Sequence, residues 1–280
     1  MQEKPIHNKY NGNKKKKNKN FNRHRSTHKN YKNTKHNKTI DTKVYALGGL
    51  NEIGKNMYCV EHDNEIIIID AGVKFAEEGL PGIDYVIPDY SYLKRNENKM
   101  RGLLITHGHE DHIGGIPFLL QVVKIPFIYA SPLACAMITR KLEEKRLTNA
   151  THLIRIDDEY QIKTKYFNIG FFKTNHSIPE SLGIIINSPN GRIVSTGDFK
   201  FDLTPVGDPA DFQKMSFLGE TGVTLLLSDS TNAEVPTFSK SEKQVAYAVQ
   251  EEFRKTEGRL IVATFASNVH RVQQIVEAAV

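Results

Sequence analysis

The segment that most constrains how this chain folds is a run of metal-ligand side chains after a short apolar stretch. Residues 103–106 are predicted to form a buried strand, and Gly108 allows a tight turn just beyond it. Imidazole and carboxylate groups suit zinc and similar cations, so four of them at this spacing predict a metal site at the end of a strand. The four potential ligands, within six residues, are His107, His109, Asp111 and His112.

Three further side chains of the same chemical types stand just beyond other predicted strands. His176 follows residues 171–174, and Asp198 follows residues 193–196. Taken alone, each is explained equally well as a loop or capping residue. Their order after the first cluster favours metal ligands, with Asp198 able to bridge two ions. Asp70, which ends another apolar run, could orient a metal ligand by a hydrogen bond without binding the metal itself.

The overall composition is that of a folded chain without a membrane span. Of 280 residues, 39% are hydrophobic and 25% are charged, and the length suits about two domains. Uninterrupted apolar runs such as residues 66–69 and 225–227 are far shorter than the roughly 18 residues that cross a bilayer. We therefore expect a sizeable core and no membrane association.

Charge divides the chain at about residue 40. Residues 1–40 hold 13 Lys and Arg against one acid, a balance of +12, whereas residues 41–280 hold 25 against 31, a balance of −6. The first segment has few residues that could bury apolar surface, so residues 1–41 are predicted to be a disordered Lys/Asn-rich tail. Two interpretations of the tail are equally open: a polybasic arm that contacts RNA phosphates, and a solvated segment without a fixed partner.

The two cysteines, Cys59 and Cys135, indicate a reducing compartment. They lie far apart in sequence, each in an apolar context, which predicts small core residues rather than a disulfide framework. The basic N-terminus is not followed by an apolar stretch of the kind that secretory signals contain. A cytoplasmic location is therefore the expectation.

Periodicity and turn residues predict an α/β protein. Through most of the chain, predicted strands are interspersed with helices, one of them at residues 112–123. Towards the end, the pattern becomes strand, helix, strand, helix, which indicates a parallel α/β unit. There, residues 239–242 form a capping box that begins a helix, residues 259–265 are a predicted strand, and a last helix begins at residue 268. No C-cap signal closes that helix, so we expect the chain to be a piece of a longer protein.

The ligand run, the later histidine and the later aspartate resemble the ordered signature of the metallo-β-lactamase superfamily. Over residues 42–280 the chain is more closely similar to ribonuclease J, a bacterial family in the β-CASP group of that superfamily. Asn51 stands where this family often has Gly. Four segments carry the closer likeness: LGGLNEIGKNM at 47–57, GIDYVIPD at 82–89, THGHEDHIGG at 106–115 and NHSIPES at 175–181.

The resemblance implies a fold, domain boundaries and a metal centre. It implies a metallo-β-lactamase αββα sandwich at residues 42–235, followed by the start of a β-CASP α/β domain at residues 236–280. It also implies two Zn²⁺ ions per subunit, with Mn²⁺ or Mg²⁺ as alternatives, and a further histidine ligand beyond Val280. By the family pattern one ion is held by His107, His109 and His176, the other by Asp111 and His112, and Asp198 bridges them.

The resemblance also implies two-metal hydrolysis of RNA phosphodiesters, with Asp111 and Asp198 as catalytic carboxylates. Family members cut RNA endonucleolytically and degrade it from 5′ to 3′, favouring a 5′-monophosphate, in mRNA decay and ribosomal RNA maturation. They form dimers or tetramers, and RNA-degradation or ribosome-associated partners are expected. A helix N-terminus suits phosphate, although an ordinary N-cap also explains residues 267–270. The RNA contacts implied by the family are Asp229, Ser267, Asn268, Val269 and His270.

Three other functions are less consistent with the sequence. A hydrolase of small esters or thioesters would need no β-CASP unit, so Asp229 and the α/β pattern after it argue against that alternative. A β-CASP DNA nuclease fits the flanking segments less well. A non-catalytic RNA-binding subunit would show degenerate ligands, whereas every expected ligand before residue 200 is present. Without the late ligand, these 280 residues alone could be inactive.

Overall fold

The computed structural model describes residues 40–76 and 79–280, so the predicted disordered tail lies outside the described residues except for Ile40 and Asp41. The strands of the described chain are β1 Lys43–Gly48, β2 Met57–His62, β3 Glu65–Ile69, β4 Lys74–Phe75, β5 Tyr85–Val86, β6 Met100–Leu104, β7 Phe127–Ala130, β8 His152–Arg155, β9 Ile162–Lys163, β10 Asn168–Lys173, β11 Leu182–Ser188, β12 Gly191–Ser195 and β13 Leu225–Leu227. Its α-helices are α1 Ser91–Arg95, α2 Glu110–Ile113, α3 Ile116–Val122, α4 Pro132–Glu144, α5 Phe212–Thr221, α6 Glu242–Lys255 and α7 Val269–Ala279, and a 3₁₀ turn covers Glu97–Lys99.

Two larger sheets organise these elements. The first has the order β1-β2-β3-β6-β7-β8; β1, β2 and β3 pair antiparallel, and β3, β6, β7 and β8 pair parallel. The second has the order β13-β12-β11-β10-β9 and is antiparallel except for the β12–β13 pair. β4 and β5 form a separate pair. The parallel strands place their carboxyl ends at one edge, where ligand sites commonly form in α/β sheets.

Alternating side chains of β3 show how the two sheets pack. All five residues of β3 are buried. Ile67 and Ile69 belong to the core between the sheets, where Phe171 of the second sheet also lies. Ile66 and Ile68 belong to the core on the opposite face, under α3 and α4. Successive strand residues point to opposite faces, and each buried isoleucine contributes about 1.5–3 kcal/mol of burial free energy.

A fourth layer covers the outer face of the second sheet. Phe172, Ile185 and Val194 pack there against Leu218 of α5. The order of layers is therefore helices, sheet, sheet, helix. This confirms the predicted αββα sandwich.

The predicted helix at 112–123 is wrong in one respect, because it is two helices, α2 and α3. The interruption falls at Gly114 and Gly115. The amide of Gly115 donates to the carbonyl of Ala71 at 2.8 Å, and a Cβ at Gly115 would lie 2.7 Å from the Gly72 oxygen. The chain after β3 approaches the helix backbone so closely that a continuous helix is excluded.

The predicted strand at 259–265 is also wrong, because no strand forms there. A strand needs a neighbour for its amide and carbonyl groups, and the described residues supply none for this segment. Ile261 and Phe265 are accordingly exposed. The predicted capping box is displaced as well: the N-cap of α6 is Ser241, whose side chain accepts a hydrogen bond from Gln244 N at 3.3 Å.

Other sequence predictions hold. Cys59 and Cys135 are free and buried, as expected of core residues, and burial raises the pKa of Cys135 to about 11. The last helix begins as predicted, with Asn268 as the N-cap of α7. Among the described residues, no helix combines the length and the hydrophobicity that crossing a membrane requires.

Candidate metal centre

The candidate site lies where the carboxyl ends of three strands meet. β6 leads into the turn that carries His107 and His109, and α2 follows that turn directly. β10 and β12 both run antiparallel to β11. Their carboxyl ends, followed by His176 and Asp198, therefore share one edge of the second sheet. The structure thus brings together residues that lie up to 91 positions apart.

Two glycines permit the close approach of these segments. A Cβ at Gly108 would lie 2.8 Å from Met137 Sδ on α4, so a side chain at Gly108 would require the Met137 thioether to shift. Gly197 has φ +57°, and a Cβ there would lie 2.9 Å from the Cβ of Thr106. Glycine adopts this left-handed conformation without the steric cost that a side chain brings.

Three imidazoles and one carboxylate converge at what we call the first position. His109 Nδ1 lies 3.1 Å from His107 Nε2 and 3.1 Å from His176 Nε2. Asp198 Oδ2 lies 3.6 Å from His176 Nε2 and 4.0 Å from His107 Nε2. One ligand atom from each of these four residues falls within 4.8 Å of the others.

A second cluster, the second position, adjoins the first. His112 Nε2 lies 3.5 Å from Asp111 Oδ2 and 3.3 Å from Asp198 Oδ1. Asp198 thus presents one oxygen to each position, which is the arrangement a bridging ligand needs. All six ligands predicted from the sequence lie in these two clusters.

Comparison with known families identifies this arrangement. The profile of the Metallo-beta-lactamase superfamily matches residues 50–226, which is more than half of the chain. The chain belongs to the metallo-β-lactamase superfamily. The matched residues include both positions, so the superfamily predicted from the ligand order is confirmed.

Curated relatives narrow the likeness within the metallo-β-lactamase superfamily. The chain is 58% identical over 237 residues to ribonuclease J 1 of Streptococcus pyogenes, and 46% identical over 238 residues to ribonuclease J of Mycoplasma genitalium. Each alignment covers 85% of this chain and 42% of the relative, so the chain spans less than half the length of these relatives. The resemblance to ribonuclease J that the four segments predicted is confirmed.

A solved structure shows the same fold at low sequence identity. It is a protein of unknown function from Enterococcus faecalis, with a TM-score of 0.62 and 16% identity over 85% of this chain and 63% of that one. At such identity the match supports the fold alone.

In this metallo-β-lactamase fold, Asp70 lies behind both positions. Its Oδ2 accepts a hydrogen bond from His112 Nδ1 at 2.8 Å and another from the Thr106 hydroxyl at 2.8 Å. The same hydroxyl lies 3.0 Å from His107 Nδ1 and can accept its proton. Asp70 therefore directs the Nε2 lone pairs of both histidines at the site, as outer partners of metal-binding histidines do.

The histidines of the first position are held neutral. Burial lowers the pKa of His107 well below its ordinary value, and the neighbouring imidazoles lower it further. Burial likewise lowers the pKa of His176 to about 4, against the opposing charge of Asp198. It also lowers the pKa of His109. The neutral imidazole is the form that binds metal.

The second position has the opposite electrostatics. Burial alone would lower the pKa of His112, but Asp70, Asp111 and Asp198 outweigh it and raise that pKa well above its ordinary value. Burial would raise the pKa of Asp198, but the hydrogen bond and charge of His112 hold it below its usual value. His112 and the carboxylates around it therefore form an ion-paired cluster at the second position.

The donor set fits divalent metal ions. His109 Nδ1 faces two Nε2 atoms at 3.1 Å, and one proton on it can satisfy only one of them. Shared cations would relieve the lone-pair conflict, and imidazole with carboxylate is a common donor set for zinc.

The first of the predicted RNA contacts, Asp229, lies beside the metal centre. Its carboxylate accepts hydrogen bonds from Thr231 N at 2.8 Å and from Phe199 N at 3.4 Å, and its own amide donates to Thr196 Oγ1 at 3.1 Å. Asp229 therefore supports the turn that carries Asp198. A role in binding RNA stays a prediction.

Of the predicted contacts at 267–270, Ser267 and His270 lie near residues of the first position. The Ser267 main chain raises the pKa of His109 against the effect of burial, and His270 lines a cavity of about 500 Å³ together with His176. The Asn268 side chain accepts a hydrogen bond from Arg271 N at 3.1 Å, as the ordinary helix cap would. Val269 is the first residue of α7. Binding of RNA by these four residues stays a prediction.

Two supporting residues were missed by sequence reasoning. Glu110 stands within the ligand run but turns away from the ligands, and it pairs with Lys141 of α4 at 2.8 Å. Asn56 contacts both Asp111 and His112. Glu110 carries no signal that separates it from a ligand. Asn56 lies in one of the four family-like segments, and its place just before β2 was the available signal.

Proposed function

We propose that the complete protein is a metal-dependent ribonuclease that hydrolyses RNA phosphodiesters. The observation that carries the proposal is the convergence of six ligand side chains at two adjoining positions in a chain 58% identical to a ribonuclease J. By the family pattern, both 5′-to-3′ exonuclease and endonuclease activity are proposed, in mRNA decay and ribosomal RNA maturation.

Two Zn²⁺ ions are the proposed cofactors, with Mn²⁺ or Mg²⁺ as alternatives. His107, His109 and His176 would hold one ion, Asp111 and His112 would hold the other, and Asp198 would contact both. Ions held by these residues would stabilise charge on a phosphodiester and lower the pKa of water. Asp111 and Asp198 are the proposed catalytic carboxylates.

The residues around the site prepare it for an anionic substrate only when cations are present. A cavity of about 820 Å³ lies beside the second position. No Lys or Arg is among the described residues that line it, so the groove would repel phosphate unless cations at the two positions offset its carboxylates. Six carboxylates line this cavity: Glu52, Asp70, Asp111, Asp198, Asp229 and Glu234.

The remaining family properties are proposed in the same way. We propose residues 42–235 as the metallo-β-lactamase domain and 236–280 as the beginning of a β-CASP domain. In support, β13 still pairs with β12 of the second sheet, whereas α6 and α7 pack on each other. RNA with a 5′-monophosphate is the proposed substrate, with contacts at Asp229 and 267–270. A homodimer or homotetramer in the cytoplasm, with RNA-degradation or ribosome-associated partners, completes the proposal.

The test uses the complete protein with 5′-monophosphorylated, 5′-triphosphorylated and circular RNA, with and without a chelator. His109→Ala is compared with His152→Ala, an exposed histidine on β8. We expect chelation and His109→Ala to abolish cleavage, and His152→Ala to leave it unchanged. Cleavage that survives both treatments would refute the metal-dependent hydrolase. Equal rates on the two 5′ ends would argue against the 5′ preference, and intact circular RNA would argue against endonuclease activity.

A further inference from the structure

Asn56 occupies a seam between two segments that are distant in sequence. The main-chain N–H of Asn56 donates to the main-chain carbonyl of Asp111 at 3.0 Å, and the main-chain carbonyl of Asn56 accepts from Gly72 N at 3.0 Å. Gly72 lies so close to this seam that a Cβ there would fall 1.5 Å from the Asp111 oxygen. The backbone on both sides of Asn56 is therefore fixed, which limits where its side chain can point.

The side chain of Asn56 points at the second position. Its Nδ2 lies 3.2 Å from Asp111 Oδ2 and 3.2 Å from His112 Nε2. The Asp111 carboxylate can only accept a hydrogen bond, and the ring of His112 is already turned towards carboxylates on both sides, with Nδ1 2.8 Å from Asp70 and Nε2 3.3 Å from Asp198. The NH₂ group of the Asn56 side chain, and not its oxygen, must therefore face Asp111.

One of these two contacts can persist when a metal binds. With His112 Nε2 bound to a metal, the contact with Asp111 Oδ2 is the one that can still be a hydrogen bond to the Asn56 side chain. A carboxylate oxygen has lone pairs enough to bind a metal and to accept a hydrogen bond. The amide would then hold the rotation of the Asp111 carboxylate, as Asp70 holds the ring of His112.

We infer that Asn56 is a positioning residue that fixes the Asp111 carboxylate and thereby sets the metal affinity of the second position selectively. This inference rests on the proposed metal centre, and it assigns a role to a residue outside the ligand set. Outer partners of this kind typically change metal affinity by about 10–100-fold. The first position has no contact with Asn56 among the described hydrogen bonds, so its affinity should be unaffected.

The experiment measures metal binding by the complete protein in the absence of RNA, by competition with a chromophoric zinc chelator. Two backgrounds separate the positions: His176→Ala weakens the first, and His112→Ala weakens the second. We expect Asn56→Ala to lower the remaining zinc affinity by about 10–100-fold in the His176→Ala background, and to leave it unchanged in the His112→Ala background. Asn96→Ala is the matched control, because the Asn96 amide donates to the Tyr92 carbonyl at 2.9 Å, away from the site.

Several outcomes would overturn the inference. Equal losses in the two backgrounds would mean a general structural defect, and no loss in either would mean that Asn56 does not act through Asp111. Reduced RNA cleavage with unchanged zinc affinity would place Asn56 on the substrate. If Asn56→Ala does not fold, Asn56→Ser serves instead: its shorter side chain cannot span to Asp111, so the same selective loss is expected. A wild-type protein that binds no metal would refute the metal centre itself, which is a separate result.

Discussion

The first and second positions differ in how their ligands are charged and supported. Three neutral imidazoles form most of the first position, with His107 buried and His109 and His176 half-buried. The second has one imidazole whose pKa is raised by surrounding carboxylates. Each side of the second position also has an outer partner, with Asp70 at 2.8 Å from His112 and Asn56 at 3.2 Å from Asp111. The two positions share only Asp198.

This contrast shows how a pair of metal positions can bind with different strength and pH dependence. Neutral imidazoles are ready to bind, whereas the second position must first give up a proton and keep a charged carboxylate in place. We therefore expect the first position to be filled more readily, and the second to depend more on its surroundings. The predictions that follow test this difference, from the largest expected effect to the smallest.

Substitution of Asp198, the residue that the two positions share, should have the largest effect on RNA cleavage. Asp198→Asn leaves one oxygen and replaces the other with an NH₂ group, so it cannot serve both positions. We expect a fall in RNA cleavage of about 10³-fold, because several kcal/mol of charge stabilisation are lost. Single-turnover kinetics measure the effect, with Asp208→Asn as the control, since that side chain is exposed and pairs with Lys173 at 2.9 Å. Activity within a fewfold of wild type would show that Asp198 does not bridge.

Substitution of a glycine beside each position should destabilise the folded protein by unequal amounts. In Gly72→Ala the new Cβ would fall 1.5 Å from the Asp111 carbonyl oxygen, which is backbone, whereas in Gly108→Ala it would fall 2.8 Å from the flexible Met137 thioether. We expect Gly72→Ala to destabilise the protein by about 3 kcal/mol or more and Gly108→Ala by about 1 kcal/mol. Chemical denaturation of the metal-free proteins measures both, and similar losses would contradict the close backbone approach.

Removing the charge behind the ligands should weaken the second position more than the first. Asp70 contacts His112 directly and reaches His107 only through Thr106. We expect Asp70→Asn to lower zinc affinity at the second position by about 10–100-fold, with a smaller loss at the first. Chelator competition in the His176→Ala and His112→Ala backgrounds separates the two. A larger loss of zinc affinity at the first position would show that Asp70 supports mainly the first position.

Acidity should also distinguish the positions. The raised pKa of His112 means that zinc must displace a proton there at neutral pH, so the affinity of the second position should rise by about tenfold per pH unit until that pKa is passed. The pKa of His176 is about 4, so the affinity of the first position should change little with the protonation of this residue between pH 6 and 8. Calorimetry in buffers of different ionisation enthalpy counts the protons released. Equal proton release on zinc binding at both positions would contradict the predicted difference in the protonation of their histidines.

Much of the candidate site could be predicted because its ligands are local in sequence or end a strand. Four ligands fall between His107 and His112, and His176 and Asp198 stand just after strands whose carboxyl ends share an edge. Apolar patterning likewise predicted an α/β protein with strands interspersed with helices. By contrast, the strand expected at 259–265 did not form, because pairing depends on a neighbour that local sequence does not describe.

The sequence by itself determined which residues can bind metal, their order along the chain and the superfamily to which the chain belongs. Only the tertiary structure decided how they are divided, with one oxygen of Asp198 facing each position. It also placed Asn56 and Gly72 against Asp111, which lies 55 residues after Asn56 and 39 residues after Gly72. The reason is physical: ligand chemistry belongs to the residue type, whereas orientation depends on backbone segments that meet only when the two sheets and their loops have packed.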